Sequence, residues 1–148
     1  MVAAVPTVKA GTTTLTKDTD YTVTYASNTN VGTATITITG KGNYTGTKTV
    51  TFAITAADIS SATVSGVKNS YTYTGKEIKP APVVKSGSIT LTKDTDYTLA
   101  YNSNKTVGKA TVTITGKGNY TGTKSVTFKI AQAKGKITAK NKTVKYSK

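Results

Sequence analysis

The chain has 148 residues with twenty lysines, no arginine and six acids, a formal net charge of +14, and no cysteine, histidine or tryptophan. Disulfides, thiolate or imidazole metal sites, and thiol or imidazole catalysis are thereby excluded. Without arginine the preferred fork for phosphate and guanine is missing, so no specific nucleic-acid role is expected, and with no run of 18 apolar residues no membrane insertion is expected either.

The dominant feature is an internal duplication. Residues 6–54 return at 82–130 with an offset of 76, and 36 of the 49 aligned positions are identical. The exchanges are mild, such as Val23 for Leu99, Ile36 for Val112 and Thr33 for Lys109. Three units are expected: residues 1–57 as a first repeat incomplete at its N-terminus, 58–131 as a complete second repeat, and 132–148 as the start of a third repeat or a strand-donating tail. At about 76 residues each module has a thin core. An enzyme seldom needs its body twice, whereas a spacer, a fibre or a multivalent binder gains with copy number.

In chain order, the opening Met1-Val2-Ala3-Ala4-Val5 lacks the basic region and long apolar core of a signal peptide. Residues 2–8 are the remnant of a lead-in, so the sequence reads as a piece of a longer protein. Turn signals at Lys17-Asp18-Thr19-Asp20 and Ala26-Ser27-Asn28-Thr29-Asn30 bracket a strand with Tyr21, Val23 and Tyr25 on one face. The next strand alternates Ala34, Ile36 and Ile38 inward with Thr33, Thr35, Thr37 and Thr39 outward. The loop Gly40-Lys41-Gly42-Asn43-Tyr44-Thr45-Gly46 turns the chain into a last strand carrying Val50, Phe52 and Ile54. After a short link at 55–58, the second module is expected to add strands over 59–67, 70–75 and 78–84 before the shared body returns with Tyr97, Leu99, Tyr101, then Ala110, Val112, Ile114, then Val126, Phe128, Ile130. The tail segment Lys142-Thr143-Val144-Lys145-Tyr146 alternates as residues 70–74 do and reads as an opening strand with no partner in its own chain, which either donates itself to another copy or frays. No helix is expected. The fold class is all-β, a small β-sandwich in each module, rich in threonine because a β-branched residue suits a half-wet pleated surface.

The strings Asp20-Tyr21-Thr22-Val23-Thr24-Tyr25, Val31-Gly32-Thr33-Ala34, Gly40-Lys41-Gly42-Asn43-Tyr44-Thr45-Gly46-Thr47 and Phe52-Ala53-Ile54 together resemble a repeat common in large surface proteins of Gram-positive bacteria. Upstream of the second copy, Tyr71-Thr72-Tyr73-Thr74-Gly75-Lys76 looks like the YDG-like opening of that repeat, with Thr74 in place of Asp. The resemblance covers most of residues 6–131. It implies two tandem immunoglobulin-like β-sandwich modules, the first lacking its N-terminal strands, set as beads in an adhesin at the cell surface or cell wall. It carries over no catalytic residue.

Candidate sites are few. Asp18 and Asp20, repeated as Asp94 and Asp96, sit near Asn28 and Asn30 and form either a turn-stabilising pair or a weak calcium site, although two carboxylates fall short of the six to eight oxygens calcium takes. As paired carboxylates for glycoside hydrolysis they are too local, and no cofactor is expected. A lysine–asparagine crosslink at Lys48 and Asn43, or Lys124 and Asn119, lacks a buried acid beside it. The threonine rows, with Thr35 and Thr37 and their twins Thr111 and Thr113, offer a flat hydroxyl surface for a sugar polymer, while strand propensity explains the same rows without a ligand. Tyr44 and Tyr120, in the glycine loops, are the exposed aromatic candidates for stacking on cell-surface glycans. Dispersed lysine reads either as a guard on sheet edges or as loose attraction to polyanions. Finally, Thr143, Val144, Lys145 and Tyr146 are candidates for strand donation into another copy of the chain, which would assemble head to tail.

Overall fold

The computed structural model describes residues 1–4, 6–135 and 138–147. Among them there is no helix, and the chain folds as fourteen strands in several sheets, consistent with a β-sandwich. In the first copy β1 (Lys9–Ala10) and β2 (Thr13–Thr14) form a small hairpin. Facing it, β3 (Tyr21–Ala26), β4 (Gly32–Gly40) and β5 (Thr47–Ile54) make an antiparallel sheet in that order, with β4 central. The period-two pattern places Ala34, Ile36 and Ile38 inward, all buried.

The second copy is entered through β6 (Ala57–Asp58), β7 (Thr63–Ser65) and β8 (Ser70–Thr72). The repeated body follows as β9 (Val83–Ser86), β10 (Ile89–Thr90), β11 (Tyr97–Asn102), β12 (Gly108–Gly116), β13 (Tyr120–Thr121) and β14 (Thr123–Ala131). One sheet has the order β10-β9-β7 and the other β11-β12-β14-β8. Between them Ile59, Ala62, Val84, Leu91, Tyr97 and Ile114 form one buried cluster. A second cluster joins Ala110, Phe128 and Ile130 to Val67, Tyr71 and Ile78, with the Tyr71 and Phe128 rings edge to face at 5.3 Å.

Three expected strands are shorter than their alternation suggests, the one over 70–75 ending at Thr72. Over residues 59–67 only Thr63–Ser65 is strand, because Ala62 N–H turns back to the Ile59 carbonyl at 2.9 Å. Over residues 78–84 the ladder fails because Pro80 and Pro82 bring no N–H. Tyrosine hydroxyls take the place of ladder donors: Tyr101 donates to the Pro80 carbonyl at 2.6 Å and Tyr97 to that of Pro82 at 3.3 Å. Asn104 closes the far end, its backbone carbonyl accepting from Ile78 N–H and its side chain donating to the Ile78 carbonyl. The first copy repeats this device with Val2 on Asn28 and with the Tyr25 hydroxyl on the Ala4 carbonyl at 2.9 Å.

The tail is unpaired. Described residues 138–147 form no strand, and Val144 and Tyr146 stand in solvent, the latter 89% exposed. An extended segment becomes a strand only against a partner edge, and these residues have none among the described residues. Lys148 lies outside the described residues.

No described residue does for the first copy what residues 57–75 do for the second. β8 runs parallel to the end of β14 and covers it, so Phe128 is 3% and Ile130 0% exposed. Their twins Phe52 and Ile54 on β5, an open edge, are only half-buried, and Val50 is 40% exposed.

Candidate functional site

The glycine loop that joins the last two long strands provides an internal control. Gly40 to Lys48 and Gly116 to Lys124 have the same sequence, GKGNYTGTK. Both loops close by the same bonds, Gly40 N–H to the Gly46 carbonyl and Gly116 N–H to that of Gly122, each 2.9 Å. Lys41 and Lys117 hold the neighbouring turns identically, each through backbone N–H to Asp20 or Asp96 and through Nζ to the carbonyl of Asp18 or Asp94. Yet only the second loop contains a strand. There Asn119 and Thr121 carbonyls accept from Ala57 and Ile59 N–H at 3.0 and 2.9 Å, so β13 pairs in parallel with β6. The difference comes from the partner segment and not from the loop.

Around that pairing the lead-in is held at three points, Asp58, Ser60 and Ile59. The Asp58 carboxylate lies where a side chain at Gly122 would stand, so this glycine, with φ of 80°, is required by both conformation and space. Asp58 also accepts from Ser60 N–H at 2.8 Å, and Lys124 Nζ donates to the Ser60 carbonyl at 2.9 Å. Ile59 inserts into the core with no exposed surface, and full burial of such a side chain stabilises by about 1.5–3 kcal/mol.

The same place in the first copy is a groove of about 280 Å³, walled by Val8, Leu15, Tyr21, Ile38 and Tyr44, with Lys48 at its edge. Each is the twin of a residue around Ile59: Val84, Leu91, Tyr97, Ile114, Tyr120 and Lys124. Gly46 has the same left-handed backbone, φ 95°, with empty space where Gly122 meets Asp58.

The tyrosine candidates are less exposed than the loop position suggests. Tyr120 packs on the buried cluster and Tyr44 is half-buried in the groove wall. Core packing accounts for Tyr21 and Tyr97, which are buried, and for most of Tyr25 and Tyr101. Burial pushes the Tyr97 and Tyr101 hydroxyls above the ordinary phenol range, with nearby lysines, Lys93 above all, opposing it.

The threonines do form a surface. Across β3, β4 and β5 the register aligns Thr22, Thr39 and Thr47 in one row and Thr24, Thr37 and Thr49 in the next, with Thr35 beside Thr51. Thr35 and Thr37 are half-buried by these neighbours, as are Thr111 and Thr113 on β12. In the second copy Ala100 and Ser125, in the places of Thr24 and Thr49, interrupt the pattern.

The aspartates act as local acceptors. Asp20 and Asp96 each accept from the backbone N–H four residues back, Thr16 or Thr92, at 2.8 Å. Asp18 and Asp94 adopt φ of 67° in the turn, and among the described residues their carboxylates meet only the exposed Lys17 and Lys93. Among the described residues no group of three or more potential metal-ligating side chains converges. The residues considered for a crosslink go to separate partners: Lys124 to Ser60, and the Asn119 amide to Asn30 and Val31 of the first copy.

That last contact was not legible in the sequence. Asn119 Oδ1 accepts from Val31 N–H at 2.8 Å and Nδ2 donates to Asn30 Oδ1 at 3.0 Å, while its backbone carbonyl holds Ala57. One asparagine thus ties the first copy, the link and the second copy together, beside a crevice of about 320 Å³ lined by Val31, Ile54, Ala57, Ile89 and Tyr120. Comparison with family models, with curated proteins and with solved structures finds no match for this chain, which leaves the geometry of the two copies to carry the function.

Proposed function

We propose that the chain is a non-catalytic structural repeat, two tandem immunoglobulin-like β-sandwich modules serving as a stalk or spacer in an extracellular bacterial surface adhesin. The observation that carries this reading is the junction at Asn119, where hydrogen bonds from one side chain and its backbone reach both the preceding copy and the link. A spacer needs bodies joined at a restricted angle, and a three-way tie restricts it. The duplication supports the same reading, since reach grows with each added copy. Single-molecule pulling tests it: two unfolding events, the shorter from the first copy and the longer from the second, each needing sustained force, are expected, and extension at trivial force would count against a stalk.

A second reading, carbohydrate or mucin binding, is favoured by the aligned threonine rows of the first copy. Strand spacing sets these hydroxyls about 4.8 Å apart across the sheet, a regular array that a linear glycan could follow. A glycan array separates the two readings, because a spacer leaves it blank.

A further inference from the structure

We propose that the open groove of the first copy is an acceptor site for a lead-in segment of the type found at residues 57–65, which pairs over two residues and then turns into the core. The second copy displays the occupied form of this site and the first copy the vacant one, built from the same residues. Three separate features of the vacant groove match the lead-in. The apolar walls, Val8, Leu15, Tyr21 and Ile38, surround the position taken in the second copy by Ile59 and Ala62. The Asn43 and Thr45 carbonyls are twins of those that accept from Ala57 and Ile59 N–H, so a parallel two-residue pairing can form on a loop whose closing bond is already made. Gly46 leaves room for a carboxylate, and Lys48 stands where Lys124 meets the Ser60 carbonyl.

The occupant is therefore defined by its chemistry: a segment with an aspartate, an isoleucine directly after it, alanine three positions on across a turn and valine two further, as in Asp58, Ile59, Ala62 and Val64. In the tail the described apolar residues Ala139, Val144 and Tyr146 have a different spacing and no acid. This is the β-strand addition mode, in which backbone pairing supplies the attachment and alternate side-chain pockets the selectivity. The inference stands on the comparison of the two copies and not on the spacer reading, which survives if it fails.

The test adds a synthetic peptide of residues 56–66, blocked at both ends, to the intact isotope-labelled chain. Saturable one-to-one binding is expected, with amide shifts confined to Val8, Leu15 and residues 43–48 and absent at their twins in the second copy. Peptides carrying Ile59→Asp or Asp58→Ala leave the protein unaltered and are expected to bind at least ten-fold and about three-fold more weakly. No binding at millimolar peptide, shifts centred outside the groove, or equal binding by a peptide of residues 138–147 would each overturn the assignment.

Discussion

The Val31 amide and the Asn119 side chain, 88 residues apart in sequence, are joined by a hydrogen bond of 2.8 Å. Val31 follows the turn between β3 and β4, and Asn119 sits in the glycine loop of the other copy, so this bond fixes where one body meets the next. An exposed hydrogen bond of this kind contributes little to stability, about 0.5–1.5 kcal/mol at most. Its consequence is orientation.

Asn119→Ala is therefore expected to leave the melting temperature within a degree or two while releasing the Val31 amide. Hydrogen exchange reads this directly. Val31 should exchange slowly in the parent chain and fast in the variant, whereas Asn43→Ala, the same change in the identical loop of the first copy, should not affect it.

Tyr101→Phe removes the hydroxyl that donates to Pro80 and is expected to cost about 1 kcal/mol, because the segment around the two prolines has few other donors to hold it. The pH dependence follows from the raised pKa of Tyr97 and Tyr101, whose ordinary value is 10.0. A phenol held protonated in the folded state contributes stability that is present in full below that ordinary value and is lost as pH rises through the raised one. Urea midpoints should fall on moving from neutral pH to above 10, and the gap between parent and Tyr101→Phe should narrow over the same range.

Phe128 and Phe52 are twins at the two ends of the same argument. Phe128→Ala should destabilise by about 3–5 kcal/mol, the cost of emptying a buried aromatic site, since Phe128 is 3% exposed and packed on Tyr71. Phe52→Ala, on the uncovered strand β5, should cost about half as much by the same scale. Denaturant melts of the two variants check the order, and equal losses would mean that β8 adds no cover.

Asp96→Ala removes the carboxylate that accepts from Thr92 N–H and should cost about 1 kcal/mol, an exposed charge-assisted bond being worth less than a buried one. Millimolar calcium should leave the melting temperature of the parent unchanged, because each turn presents the carboxylate to its own backbone. A rise with calcium, abolished by Asp96→Ala, would establish a metal site instead.

Most of the body was legible in the sequence because alternation and turn chemistry act locally. Ala34, Ile36 and Ile38 face inward, as do Ala110, Val112 and Ile114, and the aspartate turns fall where strands end. The shortened strands were legible only in part: Pro80 and Pro82 were visible, but the tyrosine hydroxyls that donate to their carbonyls come from residues 15 and 21 positions away. The glycine loops set the sharper limit. Within nine identical residues two pair as a strand in one copy and not in the other, so no property of those residues alone could distinguish them. Tyr120 was expected to be exposed because its loop is rich in glycine, and it is covered because Ile59 and its neighbours build a core beneath that loop.

The distance between spin labels at Thr12→Cys and Ser88→Cys, equivalent exposed positions in the two copies, tests the spacer most directly. Pulsed electron–electron resonance on the doubly labelled chain is expected to give one narrow distance distribution that broadens when Asn119 is replaced by alanine. A broad distribution in the parent chain, unaltered by that replacement, would contradict a restricted junction and with it the stalk.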